Sequence, residues 1–297
     1  MKIRHWIAAL AFVVTAHAAE KAPEFRLLER NHKLQPSPIK EASGLAISSA
    51  DPGFMWIIND SGGTPDIHLT TTDGTYRGKV TLKDAKNVDW EDLDSFTLDG
   101  KNYLLVADTG DNDSKRKDRT LHILREPALP ADGKSLDATA AAVWKIKFQY
   151  EGGPRDCESV GVDTQAGKIL LISKRTKPPE VYELPLRPSE KAGTLVAKKI
   201  GTTSVKPTVT TILPYQDQPC GLDISADNSL AAVVTYHTVF LFPRQPKESW
   251  ADAFARQPAA LAPHHLGQAE SVAFSKDGKS IYTVAEGKSS PIRIYQR

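Results

Sequence analysis

Between residues 43 and 297 the chain repeats one short hydrophobic–polar pattern five times. Five segments can be laid over one another: Ser43-Gly44-Leu45-Ala46-Ile47-Ser48, Glu91-Asp92-Leu93-Asp94-Ser95-Phe96, Glu158-Ser159-Val160-Gly161-Val162-Asp163, Cys220-Gly221-Leu222-Asp223-Ile224-Ser225 and Glu270-Ser271-Val272-Ala273-Phe274-Ser275. After each comes a turn rich in Asp, Gly, Asn or Lys, such as Asp99-Gly100-Lys101-Asn102 or Asp277-Gly278-Lys279, the chemistry that joins hairpin strands. An apolar strand follows (54–58, 103–107, 169–173, 230–235, 280–284), and then a third that alternates with a period of two (67–72, 120–124, 181–184, 239–242, 292–295). That period puts every second side chain on one face. Outer strands are expected at 77–82, 143–150 and 195–203.

Small antiparallel units of this kind bury little alone, but arranged radially they cover one another's faces and leave only short edges. The repeat starts lie 48, 67, 62 and 50 residues apart, against roughly 40 to 50 for one blade. The pattern therefore predicts an all-β fold, a β-propeller of five blades forming a single domain over 19–297. The fifth unit has only three strands, and the apolar stretch Phe25 to Glu29 is expected to supply its missing outer strand and close the ring. Six blades is the alternative, because the two long intervals hold spare residues and Thr208 to Leu213 can form a further strand.

The topology gives a prediction about function. In an up-and-down blade the start of the first strand and the end of the second lie at one end of the ring. The first-strand starts read Glu41 and Ser43, Asp89 and Glu91, Asp156 and Glu158, Gln218 and Cys220, Gln268 and Glu270, so six of the ten are carboxylates. Glu41, Asp89, Glu91, Asp156, Glu158 and Glu270 are thus candidate ligands of a hard cation such as Ca²⁺, which takes six to eight oxygens. The second-strand ends and their flanks add candidate ligand-binding residues: Asn59, Asp60, Asp108, Asp111, Asn112, Lys174, Arg175, Tyr236, His237 and Glu286. Trp90, between two acids, is expected to line the same pocket. Crowded carboxylates raise one another's pKa unless something positive neutralises them. The neutraliser is either a bound divalent metal or Arg155, Lys174 and Arg175; in the second case the acids and bases form an internal network that closes the ring.

Charge and composition narrow the classes. Of 297 residues 40% are hydrophobic and 25% charged, a globular composition. Lys2 and Arg4, the apolar run Ile7 to Thr15 and Ala16-His17-Ala18 read as a secretory signal over residues 1–18; the run is too short for the roughly 20 residues that span a bilayer. Removing it leaves 36 basic and 36 acidic residues. A neutral chain without a basic stripe predicts no nucleic-acid partner and no membrane insertion, and the leader predicts a periplasmic or extracellular protein. Lys115-Arg116-Lys117, beside three aspartates, reads as a solvated loop. In an exported chain, two cysteines at neighbouring first-strand starts suggest a Cys157–Cys220 disulfide, although their one-residue offset points them to opposite faces of ideal strands.

The strings EASGL, WIINDSGG, NVDWEDL, ADTGDN, LHILREP, RDCESVGVD, ISKR, CGLDIS and ESVAF with YTVAEG, spread over 41–287, resemble a family of exported bacterial β-propeller proteins that is largely uncharacterised. More distantly, the layout is similar to gluconolactonase-like and phytase-like propellers, a resemblance that implies a channel-mouth site around bound Ca²⁺. Fold likeness alone does not carry an activity. Asp60-Ser61-Gly62-Gly63 lacks the preceding His and Asp of a trypsin-like site, Asp108 to Arg119 breaks the EF-hand pattern at two positions, and no GxSxG, HExxH or Walker loop is present. His264-His265 reads as an exposed loop, and Trp56 and Trp144 as core. Two functions remain: a binding or scaffold protein holding a cation, and with it a small polar or anionic molecule or a protein partner, or a metal-dependent hydrolase of a phosphoester, ester or lactone.

Overall fold

A computed structural model describes residues 22–131, 133–205 and 216–297; residues 1–18, where a leader is expected, and 208–213, where a further strand is the alternative, lie outside the described residues. The fold is all-β, with one short helix among the described residues. After β1 (Arg26–Leu27) the chain forms a ladder of β2 (Ala42–Ile47), β3 (Phe54–Asn59), β4 (Asp66–Thr71) and β5 (Tyr76–Lys83). A second holds β6 (Trp90–Leu98), β7 (Lys101–Asp108), β8 (Arg119–Arg125) and β9 (Leu136–Tyr150). The third holds β10 (Cys157–Asp163), β11 (Lys168–Ser173), β12 (Glu180–Pro185) and β13 (Leu195–Thr202). In the fourth, β14 (Gly221–Ile224), β15 (Leu230–Val234) and β16 (Val239–Pro243) precede helix α1 (Trp250–Ala255) and β17 (Ala259–Ala260). The fifth is β18 (Ala269–Phe274), β19 (Ser280–Ala285) and β20 (Arg293–Gln296), completed by β1, with Arg26 opposite Gln296.

Strand β9 is twice the length expected. Its first half runs parallel to β5 and its end parallel to β13, so three ladders join into one twelve-stranded sheet. The stretch Leu136 to Ala142 is rich in alanine, with little of the β-branched and aromatic content that marks a strand, so periodicity alone finds only the second half. Gly78 admits it: the residue has φ 113°, and any Cβ there would collide with the Leu136 backbone.

The first strands pack in a circuit, β2 on β6, β6 on β10, β10 on β14, β14 on β18 and β18 on β2. Five hydrophobic clusters fill the spaces between successive ladders, the fifth and first included. The line along which these first strands meet, here called the hub, brings together residues more than two hundred positions apart.

Candidate functional site

One irregularity builds the site. Ladders one, two, three and five each shift register by a β-bulge at the same repeat position, occupied by Ser43, Glu91, Glu158 and Glu270. A bulge leaves its extra residue unpaired and re-aims the side chain. Three of the four such residues are glutamates, all buried. Oxygens of Asp60, Asp89 and Glu91 lie within 4.8 Å of one another, and so do oxygens of Glu91, Asp156 and Glu158. Glu91 belongs to both groups.

The cluster divides into a neutralised half and a bare half. Lys174 pairs with Glu158, lies 3.7 Å from Glu270 Oε1 and donates to the Tyr236 hydroxyl (3.1 Å), which donates to Glu270 (2.8 Å). Arg175 holds Asp156 at 2.6 Å and also reaches Asn112, while the Asp111 N–H donates to Asp156 at 2.9 Å. Arg116 pairs with Asp108 at 2.7 Å and Arg119 with Asp111. By contrast, no ion pair among the described residues reaches Glu41, Asp60, Asp89, Glu91 or Glu286. Glu41 is exposed and sits outside both close groups.

Protonation follows this division. Burial, then the nearby Asp60, lifts Asp89 to about 6. Burial and then Glu158 push Glu91 well up, burial and then Glu270 push Glu286 up, and burial raises Asp60. Glu158 is raised because burial outweighs Lys174. Burial works to lower Lys174, but the neighbouring Cys220, Glu158 and Glu270 outweigh that penalty and raise it above its ordinary value.

Gly110 sets the spacing of the bare half. Its N–H donates to the Asp89 carbonyl (3.2 Å), and a Cβ at this position would collide with the carboxylates of both Glu91 and Asp89. Gly110→Ala is therefore expected to force Asp89 and Glu91 apart and to lower the melting temperature. A melting curve beside that of wild type measures the loss.

Several expected site residues lie elsewhere. Arg155 turns away to Glu180 (2.6 Å) and neighbouring carbonyls, because Glu180 on β12 is the nearer carboxylate. Asn59 accepts from the N–H groups of Lys40 and Glu41 (3.0 and 3.1 Å) and serves as a cap for the chain entering β2. Trp90 is fully buried between the first and second ladders, its ring N–H donating to the Lys86 carbonyl, so it is core. His237 lies beside His264, whose N–H reaches its carbonyl. His264 is itself buried, with Nε2 3.0 Å from the Thr235 carbonyl, so only His265 fits the exposed-loop reading. Arg116 is likewise drawn out of the solvated loop by Asp108.

Cys157 and Cys220 are free thiols. Cys157 packs in the core between the second and third ladders and Cys220 in that between the fourth and fifth, so the one-residue offset does send them to opposite faces. Burial pushes the Cys157 thiol up to about 12.

The sequence reading missed the carboxylates inside the hub. Asp92 accepts from Leu93 (2.9 Å), Val160 (2.7 Å) and Leu222 (3.1 Å), Asp94 from Val162 (2.7 Å), and Asp223 from Ile224 (2.8 Å) and Phe274 (2.6 Å). These side chains bridge first strands that no ladder joins. Their signal was visible, since an Asp within an apolar strand pattern is buried only when partnered. No protein-family model matches this chain, and no curated protein matches it.

Proposed function

We propose that the protein is an exported five-bladed β-propeller that binds a divalent cation, Ca²⁺ by its chemistry, at the acidic end of the hub, and serves as a binding or scaffold protein through that site. Five ladders, five intervening cores and the circuit of first strands support the propeller. The leader-like composition of residues 1–18 supports export. The observation that carries the cation reading is Glu91: it is buried, has no cationic partner among the described residues, and lies within reach of Asp60 and Asp89 on one side and Asp156 and Glu158 on the other. A hard cation answers that arrangement. Lys174 and Arg175 are already engaged by Glu158 and Asp156, so the bare half favours a cation over an anionic small molecule.

A hundredfold excess of Ca²⁺ over its dissociation constant is expected to stabilise the protein by about 2.7 kcal/mol, and Glu91→Gln to remove most of that gain. Melting curves with Ca²⁺ and with chelator, after metal analysis of the purified protein, decide it; an equal shift in both proteins would sink the assignment. The effect also depends on pH. Asp89 titrates at about 6 in the folded protein against 3.8 unperturbed, so between these values the folded state binds more protons than the unfolded one. Stability without Ca²⁺ should consequently fall as pH rises through this window. Ca²⁺ must displace those protons, so its stabilisation grows from pH 5 to pH 8. A Ca²⁺ shift that is flat across that range counts against Asp89 as a ligand.

The hydrolase reading draws on the same residue, since an unpaired carboxylate with a pKa near 6 is suited to act as a general base. Turnover of an ester, lactone or phosphoester that requires Ca²⁺ and is lost in Asp89→Asn would favour it over the scaffold.

A further inference from the structure

His68 on β4 is buried and takes no part in the acidic cluster. Its Nδ1 lies 3.3 Å from the Tyr76 hydroxyl on β5, and its Nε2 lies 3.4 Å from Nδ2 of Asn59, the last residue of β3. The Asn59 amide is oriented from the other side: Oδ1 accepts the N–H groups of Lys40 and Glu41, and Nδ2 donates to the Pro38 carbonyl at 3.1 Å. Turning it over would set its NH₂ against two amide donors and its oxygen against a carbonyl. Nδ2 therefore has only a donor to offer His68, so Nε2 accepts and the single ring proton sits on Nδ1, facing Tyr76. A protonated imidazole carries N–H on both nitrogens, and Nε2 would then meet the Asn59 NH₂ donor against donor. The segment that Asn59 holds is a strap across the closure of the ring. Over 28–34 it runs along the fifth ladder, with the Leu28 N–H on the Ile294 carbonyl (2.8 Å) and the Leu34 N–H on the Ser290 carbonyl (2.9 Å), and it then crosses to the first ladder, where the Gln35 N–H reaches the Gly74 carbonyl (2.9 Å). Its end anchors two turns at the acidic end: the Lys40 carbonyl accepts from Gly287 (2.7 Å) and the Glu41 carbonyl from Asp60 (2.8 Å).

We propose that His68 and Asn59 form an acid-sensitive latch: a proton taken up by the imidazole removes the acceptor that Asn59 needs, frees the strap over 38–41 and loosens the turns that carry Asp60 and Glu286. The charged and titratable groups around the imidazole are Asp66 on its own strand, Lys79 and Tyr76 on β5, and Lys40 and Glu41, both exposed, on the strap. Burial outweighs the pull of Asp66, Lys79 adds to burial, and the imidazole is lowered from 6.5 to about 4. Asp66 is not the switching group, because hydrogen bonds from Lys79, Thr64 and Thr81 outweigh its burial and hold it below its ordinary value. Between 6.5 and 4 the unfolded chain binds the imidazole proton more readily than the folded one. The neutral ring's contribution to stability is consequently lost as the pH falls through about 4, and the latch opens there. It works in the same way whatever the acidic end binds.

Amide hydrogen exchange on the full chain, corrected for the pH dependence of the intrinsic rate, tests the latch beside an NMR titration of the imidazole. From pH 6.5 to pH 4 the Lys40 and Glu41 amides are expected to exchange roughly tenfold faster or more, while the Ser48 amide, bonded to the Phe54 carbonyl (3.0 Å) in the same ladder, keeps its rate. His68→Gln offers Asn59 an acceptor that does not titrate and should hold the strap amides flat across this range. Asn59→Asp keeps an acceptor for Lys40 and Glu41 and favours a charged imidazole, so it should move the titration above 6.5 and leave the strap protected at pH 4. That variant keeps the test open should His68→Gln fail to fold. Acceleration of Ser48 in step with the strap, equal acceleration in His68→Gln or Asn59→Asp, or an imidazole that takes up its proton while the strap amides stay protected would each overturn the proposal. No cation is added in any arm, so failure here leaves the cation reading standing, and the reverse also holds.

Discussion

Asp92→Ala should lose at least about 3 kcal/mol in urea denaturation, because three buried amides lose their acceptor at once and each costs about 1–3 kcal/mol when left unmet. Oδ1 takes the N–H of Leu93 and Oδ2 those of Val160 and Leu222, from three different ladders. The residue is fully buried. At the equivalent repeat positions stand Gly44, Ser159, Gly221 and Ser271, so Asp92 is the one residue of the five with enough reach to fill the hub. A Cβ on Gly44 would come within 2.6 Å of the Leu93 nitrogen, which shows how closely the first strands approach there. Asp92→Asn should cost less than alanine: its remaining oxygen can serve Val160 and Leu222, while its NH₂ is set against the Leu93 N–H. A loss below 1 kcal/mol in Asp92→Ala would mean that the three amides find another acceptor.

The same carboxylate marks where sequence reasoning was strong and where it stopped. Strand positions were legible because period-two alternation and Asp-Gly turns report local backbone preference, and the aligned starts at Glu91, Glu158 and Glu270 brought the acidic residues to one end. The pairing of bases with acids was not legible. Arg155 and Arg175 look equivalent as bases near the same carboxylates, yet β12 presents Glu180 to the first, while the turn after β11 carries the second onto Asp156. Side-chain choices of that kind depend on contacts between ladders that no local pattern encodes. Trp90 failed for a related reason: its acidic neighbours suggested an open pocket, but the bulge between Trp90 and Asp92 re-aims Glu91 and leaves the indole in the core. Asp94 and Asp223 sat within apolar runs and were absorbed into the strand pattern, although buried acids there should have prompted a search for their donors.

Lys174→Met tests whether the neutralised half of the acidic cluster is as dry as its geometry implies. The Lys174 side chain is 5% exposed and its ammonium serves Glu158, Glu270 and the Tyr236 hydroxyl together; methionine keeps much of the volume and removes the charge. Taking one partner from a buried ion pair costs about 3–5 kcal/mol where the stranded charge stays buried, so the full loss is expected only at a pH above the Glu158 titration, where the carboxyl does not escape by taking up a proton. The Tyr236 hydroxyl still donates to Glu270 in the variant, so the loss should centre on Glu158. Glu158 is already raised to about 8 with Lys174 present, and without it the carboxyl should rise further and hold its proton at still higher pH. The folded variant then binds more protons than its unfolded chain over a wider range than wild type, so lowering the pH from 8 to 5 should recover more stability in Lys174→Met than in wild type. Under the proposed cation reading, Ca²⁺ should also stabilise the variant at pH 8 by more than wild type, since Glu158 joins Glu91 as an uncompensated oxygen donor. If the variant were as stable as wild type at pH 8 and gained nothing extra from Ca²⁺, Glu158 would have to be solvated rather than buried, and the separation of the cluster into a paired half and a bare half would fail with it.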